Sequence, residues 1–385
     1  MNSFDFSSVK QIVCEPGAVK NMAAYCTSLH IQRPLIVTDA GLVQTGIPNQ
    51  VEEILTRGGI HAVQYSNIQA DPAESIVFDA VAFAQEHAID GVIGLGGGSS
   101  MDVAKLIALL TQNQQSLASM YGVNKVTANR LPLILVPTTA GTGSEVTPIS
   151  IITTGETTKS GVVSPRLLPD MAILDAELTT GLPPHVTAAT GIDAMVHAIE
   201  AFTSKHKKNV YSDMLAKQAL TLLSQNILAV VEHGDNVTAR SNMLLGALLA
   251  GQAFANAPVA AVHALAYPLG GNYHIPHGLS NALVLPAVLK FNAEHAKNQY
   301  AELLPCVKKH VPQGLSKTQQ CINFISTIDN LVSEVGLPRS LAAMDIPHGD
   351  LPKLASEAME QTRLLVNNPR TVTQADALAI YQHAF

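Results

Sequence analysis

Through roughly the first 180 residues, short apolar runs alternate with longer stretches whose apolar positions recur at helical spacing. PLIVTD (34–39), AVQYSNI (62–68), GVIGLGGGS (91–99) and LPLILVPTT (131–139) are apolar, β-branched runs, and each predicts a buried strand. Between them, residues 45–58, 72–87 and 99–111 have the length and amphipathic pattern of helices. Strands alternating with helices predict a parallel sheet covered on both faces. ISIITTGETTKSGVV (149–163) predicts two strands around a Gly-Glu-Thr turn, a hairpin appended to that sheet.

From Leu182-Pro183-Pro184 onward the β-branched alternation disappears. Ala/Leu-rich stretches of helical period follow at 186–203, 209–232, 236–256 and 258–267. More helices are expected to the end of the chain, broken at Pro286, Pro305, Pro312, Pro338 and Pro352. The expected architecture is an α/β domain of nucleotide-binding type over 1–183 and an all-helical domain over 184–385. No low-complexity linker separates them, so a cleft between two abutting domains is expected. No repeat of solenoid period is present.

Composition narrows the class. In 385 residues, 47% are hydrophobic and 14% charged, which excludes a disordered chain. Lys and Arg number 23 against 30 Asp and Glu, and this acidic balance without a basic stripe argues against a nucleic-acid partner. Apolar runs such as Leu106–Leu110 fall short of the ~18 residues of a membrane span, so no membrane association is expected. MNSFDFSSVK carries no basic segment followed by an apolar one, and no secretion signal is read there. Cys14, Cys26, Cys306 and Cys321 are widely spaced, a pattern of free thiols in a reducing cytoplasm.

Gly96-Gly97-Gly98-Ser99 stands where a strand gives way to a helix. Without Cβ atoms a ligand can approach this backbone closely, and the following helix offers unpaired N–H groups to a phosphate. Ser99 is a candidate cap for that helix, with Asp102 in its first turn. The bland alternative is a tight turn, and the triplet is not the GxGxxG fingerprint. Asp39 ends a strand, where a carboxylate can accept from an adenosine ribose or simply cap a helix. PTTAGTGSEVT (137–147) follows another strand end and is crowded with hydroxyls suited to a polar ligand.

The most informative segment is TGIDAMVHAIEAF (190–202). Asp193 and His197 are four apart, on one face of a largely apolar helix. A buried Asp and His there must be paired with each other or bound to a metal. His263 lies on another apolar segment and His277 at a Pro-His-Gly turn. One carboxylate with three imidazoles suits a single Fe²⁺ or Zn²⁺ with a position left open for a substrate oxygen. His30, His61, His87, His233, His295, His310 and His383 sit in polar or terminal segments and are expected at the surface.

These residues resemble the iron-containing (group III) alcohol dehydrogenases. GGGSSMDVAK (96–105), PTTAGTGSEVT (137–147), LPDMAILD (168–175), ATGIDAMVHAIEAF (189–202), HALAYPLGGNYHIPHG (263–278) and NNPR (367–370) are similar to that family's signature stretches, in order and spacing. The resemblance implies a nucleotide domain, a helical domain, a metal and cofactor in the cleft, and NAD(P)-dependent interconversion of alcohols and aldehydes or ketones. It places the metal, Fe²⁺ before Zn²⁺, on Asp193, His197, His263 and His277. It places NAD against Gly97, Gly98, Ser99, Thr138 and Thr139, with Asp39 disfavouring NADP, Lys159 and Asp71 near the nucleotide, and Thr179 and Leu182 lining the nicotinamide side. It also implies a homodimer formed through N-terminal edge strands.

One position departs from the family's common pattern. Many members read HAMAHPLG where this chain has HALAYPLG, so Tyr267 replaces a histidine beside the metal. A hydroxyacid–oxoacid transhydrogenase branch resembles this chain there. Tyr267 and His274 are the candidates for the proton relay. Polyol dehydrogenation is a further alternative. A dehydroquinate synthase-like lyase is another, but it needs a basic cluster, for which the helical domain offers mainly Lys205, Lys207 and Lys208.

Overall fold

The structure is a computed structural model describing residues 3–155 and 158–385. The described chain divides into two compact units: Ser7–Gly181, and Leu182–Phe385 together with residues 3–6.

The first unit opens with β1 (Gln11–Cys14), α1 (Met22–Ser28) and β2 (Pro34–Asp39), then α2 (Ala40–Gln44), α3 (Ile47–Arg57) and β3 (Val63–Ile68). It continues through α4 (Glu74–Glu86), β4 (Gly91–Gly96), α5 (Gly98–Leu110), α6 (Leu117–Met120), β5 (Gly122–Val123) and β6 (Leu133–Pro137). β7 (Ile149–Thr154), β8 (Thr158–Val163) and β9 (Met171–Leu174) complete it. Six strands form one parallel sheet in the order β1-β9-β6-β4-β2-β3.

Period-two alternation sends successive side chains to opposite faces of that sheet. Leu35, Val37, Leu133 and Leu135 pack with Val77, Ala80 and Met101 of α4 and α5. Ile36, Ile93, Ile134 and Val136 pack with Met22, Val51 and Leu55 of α1 and α3. Both faces are therefore covered, which is why the strands read as continuous apolar runs. From β2 the chain goes outward to β3 and returns to β4 on the other side of β2. This reversal opens the sheet between the carboxyl ends of β2 and β4, where such folds bind ligands.

The expected hairpin forms but is not part of that sheet. β7 and β8 pair antiparallel and join β5 in a separate three-stranded sheet. β7 fully buries only Ser150 and Ile152 and β8 only Val162, unlike the wholly buried β4 and β6, so they form a half-exposed surface sheet. The Thr153 N–H donates to Pro72 O at 2.8 Å, tying the hairpin to the segment before α4. The expected turn falls partly on Glu156 and Thr157, which lie outside the described residues.

The second unit is helical: α7 (Pro184–Thr203), α8 (Val210–Glu232), α9 (Val237–Asn256), α10 (Ala261–Tyr273), α11 (His277–Val307), α12 (Lys317–Glu334), α13 (Leu351–Ala358), α14 (Thr362–Leu365) and α15 (Gln374–Ala384). α7 packs against α8, α9 and α11 and is buried nearly all round. By length and composition alone α8 is apolar enough to cross a membrane, which a search for unbroken apolar runs misses. It packs on α7, α9 and α11 as a helix of the bundle.

Two proline expectations are corrected. Pro286 and Pro305 lie inside the 31-residue α11 rather than ending it, and Pro268 lies inside α10. An internal proline costs about 3 kcal/mol. Around Pro286 the helix buries Leu283, Val284, Leu285, Val288 and Leu289, each contributing about 1.5–3 kcal/mol, so packing outweighs the local rule. Pro352 opens α13 in its first turn, where the missing N–H has no partner to lose.

Candidate functional site

α7 supplies the first half of the candidate metal centre. Asp193 and His197 project from one face of it, among buried Ile192, Met195, Val196 and Ile199. His263 lies in the first turn of α10, and His277 is the first residue of α11. These four residues each present one ligand atom, all within 4.8 Å of one another. Asp193 Oδ1 is 3.9 Å from His263 Nε2 and 3.7 Å from His277 Nε2. The His197 and His263 rings stack with centroids 4.7 Å apart, and those of His263 and His277 are 5.4 Å apart. Asp193, His197 and His263 are buried, whereas the His277 side chain is 41% exposed and marks the open side.

Gly278 lets the helices meet closely enough for this. A Cβ there would lie 2.5 Å from Ala189 O and 3.3 Å from Asp193 Cβ, so any larger residue would push the start of α11 away from α7. Burial pushes the Asp193 carboxyl up. The imidazoles of His197, His277 and His263 and the amide of Asn281 outweigh this and hold it below the usual carboxylate range.

The donor set fits one divalent ion. His263 Nε2 is buried without a hydrogen-bond partner, an arrangement that costs about 1–3 kcal/mol unless another kind of partner is present. Two donors on one ion at ~2.0–2.2 Å stand at most ~4.4 Å apart. The 3.7 and 3.9 Å separations lie inside that limit.

Two side chains outside the expected ligand set complete the surroundings. Asn281 donates from Nδ2 to Asp193 Oδ1 at 2.5 Å, and the same nitrogen lies 3.3 Å from His277 Nε2. Glu200 meets His263 Nδ1 at 2.7 Å. Their signal in the sequence is spacing. Glu200 follows Asp193 and His197 on one face of an apolar helix, and Asn281 stands four residues after His277.

Tyr267 is half-buried, with its ring 6.0 Å from that of His277. His274 caps α10 in the left-handed region at φ 54° and is exposed. It enters none of the ring contacts that link His197, His263, His277 and Tyr267. The seven remaining histidines expected at the surface are all exposed. Lys205 and Lys207 are exposed, and Lys208 is engaged by Asp213 and by Phe202 O.

In the α/β unit the glycine turn lies at the sheet's reversal point. A Cβ on Gly98 would come 2.8 Å from Thr142 Cγ2, and one on Gly97 3.8 Å from Thr139 Oγ1. The Thr138 N–H donates to Gly96 O at 3.0 Å, so Thr138 and Thr139 border the turn. The expected cap is corrected: Gly97, not Ser99, is the N-cap of α5, and Ser99 lies inside the first turn. The capping glycine has no side chain to satisfy the N–H groups there, an arrangement suited to a ligand. Asp102 likewise does not serve the helix end. It accepts from Ile151 N at 2.8 Å and from the Ser144 hydroxyl.

Lys105, wholly buried, fastens the hydroxyl-rich loop to α5. Its Nζ donates to Ser144 Oγ at 2.8 Å, Thr147 Oγ1 at 3.2 Å and Ile149 O at 2.6 Å. Burial pushes the Lys105 ammonium down, against the pull of Asp102 and Glu145. Burial likewise raises Glu145 to about 7, its own backbone hydrogen bond and Lys105 opposing.

Asp39 takes the helix-capping role of the two expected of it. Its Oδ1 accepts from Leu42 N at 3.0 Å and caps α2, while its Oδ2 lies 3.6 Å from where a Gly96 Cβ would stand. Asp71 and Lys159 form an ion pair at 2.6 Å, and Lys159 also donates to Thr153 Oγ1. Thr179 is buried and donates to Ala176 O at 2.9 Å. Leu182 O accepts from Arg240 Nη2 at 3.3 Å.

Comparison with known proteins gives the same answer over the whole chain. The chain is 40% identical over 387 residues to long-chain-alcohol dehydrogenase 1 of Geobacillus thermodenitrificans, covering 98% of this chain and 97% of that protein. A crystal structure of 1,3-propanediol oxidoreductase superposes with a TM-score of 0.96 at 33% identity, covering 100% of both chains. Sulfoacetaldehyde reductase from Bifidobacterium kashiwanohense, solved in complex with NAD⁺, matches with a TM-score of 0.90 at 26% identity, covering 100% of this chain and 99% of that one. Residues 9–176 match the family described as iron-containing alcohol dehydrogenase, and 187–385 match the C-terminal part of the Fe-containing alcohol dehydrogenase family. With the histidine–aspartate cluster and the glycine turn both in place, the chain belongs to the iron-containing alcohol dehydrogenases, which are alcohol–aldehyde oxidoreductases.

Proposed function

We propose that this chain interconverts a small alcohol and its aldehyde or ketone with NAD(H), using one divalent metal held by Asp193, His197, His263 and His277. The observation that carries the proposal is the convergence of one carboxylate and three imidazoles within 4.8 Å, three of them buried. A metal held there supplies a Lewis acid for the substrate oxygen, and NAD supplies the hydride acceptor.

The chain's own residues do the rest. Asn281 orients the Asp193 carboxylate, and the buried residues of α7 and α10 keep water from Asp193, His197 and His263. The Gly97, Gly98 and Ser99 amides at the start of α5 face the cofactor pyrophosphate, with Thr138 and Thr139 beside them. Asp39 faces the ribose and repels a 2′-phosphate. Asp71 and Lys159 act as a pair near the nucleotide. Thr179 and Leu182 line its nicotinamide side. Tyr267 shapes the substrate pocket next to His277, and the exposed His274 exchanges protons with solvent. Two copies associate through the open edge of β1, which pairs with β9 on one side and exposes Ile12. A cytoplasmic location is supported by the four cysteines, all of them free.

The test is NADH oxidation against an aldehyde panel by protein stripped of metal, then resupplied with Fe²⁺ or Zn²⁺. Activity is expected to vanish on stripping and return with metal; an undiminished rate in stripped protein overturns the assignment. Asp39→Gly is expected to raise use of NADPH relative to NADH. A wild type that already prefers NADPH removes Asp39 from the ribose site. Ile12→Lys is expected to shift the protein towards a monomer in light scattering.

A further inference from the structure

One buried carboxylate touches the metal group without belonging to it. Glu200, 4% exposed, stands one turn beyond His197 and two turns beyond Asp193 on the same face of α7. Its Oε2 accepts from Ala260 N at 2.9 Å and meets His263 Nδ1 at 2.7 Å, and its Oε1 accepts from Val262 N at 2.7 Å. No side chain of α10's own N-cap serves that terminus, so α7 caps α10 through Glu200. A carboxylate already taking two backbone N–H bonds is an acceptor, which assigns the shared proton to His263 Nδ1. His263 then presents the Nε2 lone pair on the side where Asp193 lies 3.9 Å away and where the nitrogen has no hydrogen-bond partner.

We propose that Glu200 is a positioning residue for the metal, fixing the tautomer and aim of His263 and raising its basicity as a ligand. This rests on the metal assignment of the preceding subsection. Carboxylate partners of ligating histidines act in this way. Charge gives a second reason. A divalent ion with Asp193 alone leaves a formal +1 among buried groups, whereas adding Glu200 brings the sum to zero. A buried set is less costly when its charges cancel.

The test is competition of Zn²⁺ between a chelator and the full-length, metal-stripped protein, in wild type, Asp193→Asn, Glu200→Gln and Glu200→Asp. Glu200→Gln is expected to weaken Zn²⁺ binding by about 10–100-fold, with NADH binding by fluorescence unchanged and Glu200→Asp recovering part of the loss. If Asp193→Asn binds Zn²⁺ like the wild type, the metal assignment itself fails. If Asp193→Asn loses the ion while Glu200→Gln keeps wild-type affinity, only the positioning role is overturned. A cap that merely supports α10 would lower the melting temperature of metal-free Glu200→Gln and leave its Zn²⁺ affinity intact. Should Glu200→Gln not fold, ¹⁵N-histidine spectra of the Zn²⁺-loaded wild type decide. They are expected to show the His263 proton on Nδ1, and coordination through Nδ1 overturns the proposal.

Discussion

The glycine turn after β4 offers a ligand bare backbone, whereas the cluster between α7, α10 and α11 offers side chains. At the turn, specificity lies in what is missing: a methyl group on Gly98 would already meet Thr142 at 2.8 Å. In the cluster it lies in what is present, four donor groups within 4.8 Å. The difference teaches that the two sites fail in different ways. The first is damaged by adding atoms of any chemistry, the second by removing atoms of one particular chemistry.

The sharpest break between the two is His263→Ala. It removes a metal donor, so its loss of Zn²⁺ affinity is expected to exceed the ~10–100-fold typical of losing an outer partner. Turnover falls with it, while NADH binding stays within a factor of about two. Parallel loss of both would mean that the two sites are not separable. Gly98→Ala is the converse. Overpacking costs about 1–3 kcal/mol, so NADH affinity is expected to fall about tenfold with metal content unchanged.

A third measurement probes the loop beside the turn. Glu145 titrates near 7 in the folded protein because it is buried, above its ordinary value of 4.5. Its neutral form is favoured by folding. The stability it allows is therefore complete below its ordinary value and declines as pH rises through about 7. Glu145→Gln cannot ionise, and its unfolding free energy is expected to fall less over that range, the difference being on the order of 1–3 kcal/mol. Parallel pH curves for the two proteins contradict the burial argument.

The smallest effect belongs to Tyr267→His. If the phenol shapes the pocket, kcat/KM for two aldehydes of different size is expected to shift by a few-fold in ratio, with the pH profile in place. A moved pH profile assigns Tyr267 to proton transfer instead. No change in either leaves it a packing residue.

The contrast also explains what the sequence discloses. Strand runs such as PLIVTD are legible because a sheet covered on both faces demands apolar residues at every position. Asp193 and His197 are legible because helical spacing makes them neighbours without knowledge of the fold. Pro286 and Pro305 mislead, because the local cost of a proline is visible in the sequence while the packing that overrides it is not. Ser99 misleads similarly: it is a good capping residue two positions past a glycine that takes the cap position. The Asp71–Lys159 pair and the Lys105 clamp depend on how the hairpin folds back, and no local pattern announces them. Glu200 lies between these cases, marked by spacing but given meaning only by His263.

The spread of the cluster along the chain has a consequence for how the protein acquires it. Asp193, His197 and Glu200 become neighbours as soon as α7 forms, a process of about a microsecond. Glu200 meets His263 across 63 residues, and Asp193 meets Asn281 across 88. Loop closure makes such contacts slower, but their cost grows only with the logarithm of length. Half of the cluster is thus preassembled on one helix, and its other half arrives as a second local pair at the ends of α10 and α11. A nascent chain released before α11 is made would carry a half-built binding face, so synthesis through His277 sets the earliest moment at which the helical unit can close around its ligand.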